Sequence, residues 1–318
     1  MPYDSLIIDS FNLAHRLFYD SNQDKTLASV SKKLVYLSFI KRFMEYVDLL
    51  KERFGNPGCR IFILFDNPTS RSKLKHSATE YTSARIRYEL DPEYKANRKK
   101  ENKEFYNSIQ FIKFLFSIKG PEYFTIRVPN LEADDLVKPV ISEQCGEGMT
   151  LMVSTDMDWC RFLSPFVHIL MGGVNEEVIT PQGFRAKYNF LPTEEKIILY
   201  KILYGDPSDN IRPIFSEIPK AIRHDMMEYC KTVNDLYLNL PEQFSGYKEI
   251  LENHRKDMRV AYQLLSVIPV EAGRLASYTV KGRVALRLQE MVNKIFTEYD
   301  EKKTPKKFSF GRLKTPRL

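Results

Sequence analysis

The pattern of apolar and polar positions predicts short buried strands that alternate with helical stretches. The strand candidates are short, mainly apolar runs, at 5–9, 60–66, 124–128, 149–154 and 167–171. The helical candidates repeat apolar residues at steps of three and four, at 29–54 and, after Thr193, at 194–204, 220–239, 243–265 and 283–299. Because this alternation is typical of a parallel sheet with helices on both faces, we predict an α/β fold.

Acidic residues directly follow three of these strands. Asp9 ends the first strand and Asp66 ends the second, while Asp156 and Asp158 follow the fourth. Right-handed crossovers place the carboxyl ends of parallel strands at one edge of the sheet, where such sheets bind ligands. A single strand that ends in Asp carries little weight, but three form a pattern, so we expect these carboxylates to converge.

Five carboxylates bracket the fourth predicted strand. Asp156 and Asp158 follow it, and the sequence Leu-Glu-Ala-Asp-Asp before it supplies Glu132, Asp134 and Asp135. On a helix, Glu132 and Asp135 would share a face, and Asp134 would lie in the first turn, where the helix dipole favours negative charge. Two unit charges about 4 Å apart repel by roughly 4 kcal/mol at an effective dielectric constant near 20. The cluster is therefore either spread over a wet surface or filled by cations, and Mg²⁺ fits the second case.

The composition of the whole chain excludes several classes. The chain has 318 residues, of which 43% are hydrophobic, and no apolar run approaches the length of a membrane span. The start of the chain enters a strand-like run almost at once, so we expect no signal peptide. Its four cysteines form neither a CxxC pair nor a metal-ligand spacing, which predicts reduced thiols and a cytoplasmic location. The net charge of +7 suits a polyanionic partner.

Two stretches carry an excess of positive charge. Between Arg71 and Lys103 there are ten Lys or Arg and five acids, with little core periodicity. Most of this stretch is typical of a solvated loop, but 91–98 predicts a helical face that combines cations for phosphate oxygens with an aromatic ring for base stacking. The tail from Glu301 carries seven cations and is too polar to fold alone. Such a tail adds non-specific phosphate affinity, and 308–310 is its candidate for docking a partner.

Six motifs resemble, in order along the chain, the 5′ nuclease (flap endonuclease) superfamily. The motifs are IIDSFN with Asp9, LFDNP with Asp66, EYKANR at 93–98, LEADD at 131–135, STDMDW at 154–159 and GDPSDNI at 205–211. Their size and divergence are most similar to bacteriophage 5′-3′ exonucleases, including the phage ribonuclease H branch.

The resemblance implies a PIN-like nuclease domain at 1–190 that includes a basic helical arch at about 69–106. It also implies a helical DNA-binding region of the helix-three-turn-helix type at 191–300, followed by the basic tail at 301–318. The implied substrates are DNA with 5′ ends or flaps and RNA–DNA hybrids, including RNA primers, in DNA replication or repair. We expect a monomer in the cytoplasm of a bacterial host, and a single-strand-binding or other replication protein is the candidate partner.

The resemblance also implies two or more Mg²⁺ ions, for which Mn²⁺ would substitute. Their ligands, direct or through water, would be nine carboxylates, those of Asp9, Asp66, Glu132, Asp134, Asp135, Asp156, Asp158, Asp206 and Asp209. The implied catalytic residues are Lys95 and Arg98, which would grip the scissile phosphate, and Tyr94 would stack on the terminal base. One metal would activate the attacking water and the other would stabilise the leaving 3′ oxygen.

One segment departs from the family pattern. After the GD-x-x-DN motif the family carries a glycine-rich turn of the form GIGxK, which wraps a monovalent ion and seats the downstream duplex. Here the segment 212–220 contains no glycine and keeps only Lys220, the implied substrate-binding residue. Without glycine the backbone does not easily take positive φ or approach a phosphate closely. The K⁺ site is therefore in question, whereas a loss of catalysis is not implied.

Three other interpretations stay open. A PIN-type ribonuclease would share the sheet and the acids, but it has less use for a long basic arch. A DxD-type phosphatase would use Asp156 and Asp158 and would leave the other acids unexplained. A non-catalytic DNA-junction binder is supported by the altered segment 212–220, although it has no reason to keep carboxylates that repel phosphate. Metal-dependent cleavage discriminates among these interpretations.

Overall fold

The computed structural model of the chain describes residues 2–22, 32–67, 87, 90–95, 103–171, 176–271 and 273–302. Its strands are β1 (Tyr3–Asp9), β2 (Gly55–Leu64), β3 (Tyr123–Ile126), β4 (Thr150–Val153), β5 (Val167–Met171), β6 (Glu177–Ile179) and β7 (Thr279–Lys281). Its α-helices are α1 (Ser10–Asn22), α2 (Lys32–Phe54), α3 (Lys103–Ser117), α4 (Ala133–Val140), α5 (Pro181–Tyr188), α6 (Glu194–Tyr204), α7 (Lys220–Tyr229), α8 (Lys248–Asn253), α9 (Arg255–Leu265), α10 (Arg274–Tyr278) and α11 (Leu286–Lys302).

Among the described residues, the strands form one seven-stranded sheet in the order β6-β5-β4-β1-β2-β3-β7. The five central strands are parallel, and only the outer strands β6 and β7 run antiparallel. The five predicted strands are therefore confirmed, and so is the mainly parallel α/β sheet. The outer strands have three residues each and were not predicted from the sequence, because such short runs carry no readable period.

The sheet separates two apolar cores. Along β1, Ile7 packs into one core and its neighbours Leu6 and Ile8 pack into the other, as expected for side chains that alternate across a strand. One core also holds side chains of α4 and α6, and the other holds those of α2 and α3. Because both faces of the central strands are buried, their sequences are almost continuously apolar.

Two of the four helical stretches predicted after Thr193 are broken into shorter pieces, whereas those at 194–204 and 283–299 form the single helices α6 and α11. The prediction at 220–239 becomes α7 and, after a cap, the 3-10 turn Val233–Leu236. The break has a local cause, because the Asp235 carboxylate accepts the backbone N–H groups of Lys231 and Thr232, each at 2.8 Å, and so starts a new turn. The prediction at 243–265 likewise becomes a 3-10 turn followed by α8 and α9.

The end of the described chain returns to the sheet. Strand β7 pairs antiparallel with β3, and α11 packs against α2. Residues 279–302 therefore lie with the sheet, although the sequence grouped them with the helical region. The division into domains at 190 and 300 stays a prediction, and both the tail from 303 and most of the predicted arch lie outside the described residues.

Candidate active site

The carboxyl ends of β1 and β4 place the first two acids side by side. Asp9, the last residue of β1, is 7% exposed and accepts the Asn12 backbone N–H at 3.1 Å. The Ser154 hydroxyl donates to Asp9 Oδ2 at 2.9 Å and accepts the backbone N–H of Asp156 at 3.1 Å. One buried hydroxyl thus links the two residues across neighbouring strands.

The end of β2 is joined to the start of α4. Asp66 Oδ1 accepts the backbone N–H of Ala133, the first residue of α4, at 2.6 Å. Glu132 is the N-cap of that helix, and Asp134 lies in its first turn, as the sequence predicted. Free N–H groups and the positive end of the dipole stabilise carboxylates at such a helix start.

Asp135 differs from the other predicted metal ligands. It is fully buried, and both of its carboxylate oxygens accept hydrogen bonds. The donors are Arg87 at 3.0 Å, the Ile268 backbone N–H at 3.0 Å and the Glu132 backbone N–H at 3.1 Å. In this geometry Asp135 stabilises the start of α4 and pairs with Arg87, so its oxygens already have partners within the protein.

A second set of carboxylates lies where β4 meets the end of α6. Oxygen atoms of Asp158, Asp206 and Asp209 all lie within 4.8 Å of one another, and all three residues are buried. The loop that carries the latter two is closed by paired backbone hydrogen bonds between Asp206 and Ile211. The D-x-x-D spacing, which is commonplace by itself, therefore does bring both carboxylates to the site.

Two buried cations neutralise this second set, and the sequence analysis missed both. Lys201 of α6 lies 2.7 Å from Asp158 Oδ1 and 2.5 Å from Asp206 Oδ2. Arg161 donates to Asp158 Oδ1 at 2.5 Å. The position of Lys201 within the otherwise apolar run 197–203 could have predicted this contact, because such a lysine is buried and a buried lysine needs an acidic partner.

Burial and charge divide the acids into two groups by pKa. Burial, together with repulsion from Asp66 and Asp156, raises the pKa of Asp9 to about 7. Burial and repulsion from Asp158 raise the pKa of Asp156 to about 6. Burial and the neighbouring acids Glu132 and Asp135 also raise the pKa of Asp134 well above its usual value.

The pKa of Asp158 moves in the opposite direction. Burial alone would raise it, but the charges and hydrogen bonds of Lys201 and Arg161 outweigh burial and lower it. The pKa of Asp206 is also lowered, because Lys201 and the Ser208 hydroxyl outweigh the effect of burial. Asp9 and Asp156 are thus under net repulsion from neighbouring acids, whereas Asp158 and Asp206 are balanced by protein cations.

The described start of the EYKANR motif lies between the two carboxylate sets. Lys95 Nζ is 2.8 Å from Glu132 Oε2 and 3.6 Å from Asp209 Oδ1. The Tyr94 ring is 2% exposed, and its hydroxyl donates to Asp209 Oδ2 at 3.2 Å, so the ring is not open to a base in this conformation. The expectation of a helical face is wrong at Lys95, whose φ of 53° is left-handed. Arg98 lies outside the described residues.

Apolar anchors hold the segment that lacks the family's glycine-rich turn. The Phe215 and Ile218 side chains in 212–220 are fully buried. The positive φ angles nearby belong instead to Gly205, at 81°, and Asn210, at 61°. Lys220 begins α7 and is exposed.

The donor set suits hard divalent cations. Such cations prefer carboxylate oxygens, and the raised pKa values of Asp9 and Asp156 mark a place where added positive charge would be favourable. The candidate ligands of the first group are Asp9, Asp66, Glu132, Asp134 and Asp156. The second group offers Asp158, Asp206 and Asp209, two of which are already paired with Lys201.

The mixed α/β fold, with its mainly parallel sheet, matches the PIN-like 5′ nuclease fold, and comparison with known proteins gives the family. Residues 4–189 match the model of the 5′-3′ exonuclease family, N-terminal resolvase-like domain. The match covers more than half of the chain, so the protein belongs to the 5′-3′ exonuclease family, and the resemblance in the sequence motifs is confirmed.

Curated relatives agree with this family. The chain is 26% identical over 271 residues to a thermostable DNA polymerase I of Thermus thermophilus, a match that covers 84% of this chain and 29% of the polymerase. It is 26% identical over 209 residues to a 5′-3′ exonuclease of Mycoplasmopsis pulmonis, covering 66% of this chain and 61% of that protein. The chain thus spans less than a third of the polymerase.

Solved structures share the fold at low sequence identity. A bacteriophage T5 protein co-crystallised with metal ions has a TM-score of 0.62 at 18% identity and covers 93% of this chain and 98% of its own. A complex of bacteriophage T5 flap endonuclease with DNA and metal ions has a TM-score of 0.57 at 20% identity, covering 93% of this chain and 99% of its own.

Two further findings concern the cysteines and the hydropathy of the helices. All four cysteines are buried, and none is paired in a disulfide in the part of the chain that the structure describes. Among the described helices, none combines the length and the apolar character that a membrane crossing needs.

Proposed function

We propose that the protein is a structure-specific 5′ nuclease that hydrolyses phosphodiester bonds with the help of divalent cations, Mg²⁺ or Mn²⁺. The observation that carries the proposal is the convergence of two carboxylate sets on one edge of the sheet, with Lys95 between them. Membership of the 5′-3′ exonuclease family supports the reaction class. The substrates would be DNA with 5′ ends or flaps and RNA–DNA hybrids.

Divalent cations bound by these carboxylates would supply water activation and charge stabilisation of the leaving oxygen. The chain's own residues would fix the ligands. Ser154 holds the Asp9 carboxylate against the backbone of Asp156, and the N–H of Ala133 holds Asp66. Such preorganisation removes the cost of arranging the ligands during the reaction.

Lys95 would neutralise charge on the scissile phosphate. Its ammonium group already lies between Glu132 and Asp209, so a short movement of a flexible side chain would bring it to a phosphate oxygen. Arg98 would assist as a second cation, and Tyr94 would stack on the terminal base only if 91–95 moves and exposes its ring. Asp135 would act through Arg87 and not as a direct ligand.

The helical residues after Thr193 would bind the downstream duplex, with Lys220 at the start of α7 as one phosphate contact. A bound K⁺ ion is not part of the proposal, because the segment 212–220 has no positive φ angle to wrap one. Action as a monomer, removal of RNA primers in replication or repair, and docking of a single-strand-binding protein by the basic tail are further parts of the proposal.

The test is cleavage of a 5′-labelled DNA flap and of a 5′-RNA–DNA hybrid, with Mg²⁺ and with EDTA. We expect Mg²⁺-dependent cutting near the 5′ end or the junction. Asp156→Asn should reduce the rate by orders of magnitude while DNA binding survives, and Lys95→Ala should do the same with metal still bound. Tight junction binding without cutting in Mg²⁺ or Mn²⁺ would instead favour a non-catalytic junction binder.

A further inference from the structure

Arg161 joins a candidate metal ligand to the end of helix α9. Its guanidinium donates to Asp158 Oδ1 at 2.5 Å and to the backbone carbonyl of Leu265, the last residue of α9, at 2.7 Å. Its Nε also donates to the Asp158 backbone carbonyl at 2.9 Å. The side chain is almost fully buried, so these contacts fix both its position and that of the carboxylate.

Arg87 makes the same connection one residue further along. It donates to Glu132 Oε2 at 2.8 Å, to Asp135 Oδ1 at 3.0 Å and to the Ser266 backbone carbonyl at 3.1 Å. The Ile268 backbone N–H closes the arrangement by donating to Asp135 Oδ1. Arg87 is only 2% exposed, although it comes from the stretch that the sequence analysis assigned to the solvated arch.

Two arginines from distant parts of the chain thus converge on residues 265–268. Carbonyl groups at the end of a helix have no partner within the helix and carry the negative end of its dipole. A guanidinium group both donates hydrogen bonds to these carbonyls and places a positive charge at the negative end of the dipole. Each arginine reaches past the helix end to a different carboxylate of the candidate site, Asp158 for one and Glu132 for the other.

The geometry requires arginine. A guanidinium is planar, stays charged and offers five donors in a fixed fork, so one group can hold a carboxylate and a carbonyl together at defined angles. A lysine at the same position would keep the charge, but its compact ammonium on a flexible stem would not fix both acceptors at once.

We infer that Arg161 and Arg87 are positioning residues that set the orientation of the Asp158 and Glu132 carboxylates by anchoring them to the end of helix α9. The inference rests on the proposed function, for which these carboxylates are metal ligands. It also makes α9 part of the machinery that shapes the site, although α9 supplies none of its carboxylates.

The experiment compares Arg161→Lys and Arg87→Lys with Arg60→Lys. Arg60 is a matched control, since it also donates to a backbone carbonyl at the end of a helical segment, that of Cys145 at 2.6 Å. Its described hydrogen bonds include no candidate metal ligand. The measurements are Mn²⁺ affinity by calorimetry without DNA, flap affinity without divalent metal, and the single-turnover cleavage rate on saturating flap DNA in Mg²⁺, at a temperature where circular dichroism shows folded protein.

We expect each of the first two variants to lower the Mn²⁺ affinity or the cleavage rate by about 10–100-fold, the range for residues that orient metal ligands. Flap affinity should change by less than about 3-fold, and Arg60→Lys should resemble the wild type. A lower cleavage rate with nearly unchanged DNA affinity indicates that the arginine positions a metal ligand, whereas a general weakening of the fold would lower both. Because the two arginines act on different carboxylates, Arg87→Lys tests the idea independently if Arg161→Lys does not fold.

The inference is overturned if Arg161→Lys and Arg87→Lys both match Arg60→Lys, or if the cleavage rate and the DNA affinity fall by the same factor. It is also overturned if Arg161→Lys has its full effect on Mn²⁺ affinity in an Asp158→Asn background, because Arg161 would then not act through Asp158. A wild-type protein that neither binds Mn²⁺ nor cuts DNA would contradict the proposed function itself, so the two failures are distinguishable.

Discussion

Lys201 Nζ lies 2.7 Å from Asp158 Oδ1, and both side chains are buried. The same ammonium group lies 2.5 Å from Asp206 Oδ2, so a single cation of the protein serves two candidate metal ligands. Its pKa is raised, because its attraction to these carboxylates outweighs the cost of burial. Lys201 therefore balances negative charge on two members of the second carboxylate set without any metal ion.

Replacing Lys201 should reveal how much unfolding free energy is lost when its buried acidic partners no longer have its positive charge. Lys201→Met leaves the buried Asp206 without its cation and leaves Asp158 with Arg161 alone, and we expect the metal-free protein to lose about 3–5 kcal/mol of unfolding free energy. Urea unfolding in EDTA measures the loss, and Mg²⁺ should restore more stability to the variant than it adds to the wild type. Lys119→Met, which breaks the more exposed pair with Asp48, is the control, with an expected loss of at most about 1 kcal/mol. Equal losses in the two variants would contradict this role of Lys201.

The acids of the first group predict how stability depends on pH. The pKa values of Asp9 and Asp156 rise on folding, from 3.8 to about 7 and about 6. A carboxyl group that binds its proton more tightly when folded contributes stability that is complete below its unfolded pKa and is lost as the pH rises through its folded pKa. We therefore expect these two groups to destabilise the metal-free protein progressively between about pH 4 and pH 7.

Asp156→Asn tests this dependence directly. The substitution removes the buried charge, so the metal-free variant should be more stable than the wild type by about 2–3 kcal/mol at pH 8. The difference should vanish near pH 4, where the wild-type carboxyl group is protonated. Urea unfolding in EDTA across this range measures it. A variant that is less stable than the wild type at pH 8 would show that Asp156 is not under repulsion.

Gly205, just before Asp206, is predicted to be intolerant of any side chain. Its φ is +81°, and a Cβ added there would lie 2.8 Å from both Cδ and N of Pro213. Gly205→Ala should lose about 2 kcal/mol or more, from left-handed strain together with the clash. Gly273→Ala separates the two causes, because Gly273 has a φ of +78° with open space around it and should lose only about 1 kcal/mol. Equal losses would mean that the contact with Pro213 relaxes freely.

Two substitutions of the buried Tyr94 separate the role of its hydroxyl from that of its ring. Tyr94→Phe keeps the ring and removes the hydroxyl that donates to Asp209, so we expect a loss of about 1 kcal/mol in stability with unchanged flap affinity. Tyr94→Leu removes the ring as well, and should weaken flap binding only if the ring stacks on DNA after a movement of 91–95. Urea unfolding and equilibrium binding to a 5′ flap measure both effects. A large loss of flap affinity in Tyr94→Phe would contradict the role assigned to the hydroxyl.

The sheet and the convergence of acids could be predicted because their signals are local. Apolar runs that end in Asp9 and Asp66 define central strands, and parallel strands bring their carboxyl ends together. The start of α4 was predictable for the same reason, since acids in a first turn suit the helix dipole. The short strand β7 was not predictable, because it exists only through its pairing with β3.

The chain's own pattern thus determined the class of fold, the edge that carries the carboxylates and the identity of the acids that gather there. Tertiary structure alone decided which acids are already paired. Asp135 and Asp158 look alike in sequence to Asp134 and Asp156, yet each of the first two meets a buried arginine. Those arginines are placed by contacts over long sequence separations, Arg87 with Ser266 and Arg161 with Leu265, and such contacts leave no period or spacing in the sequence.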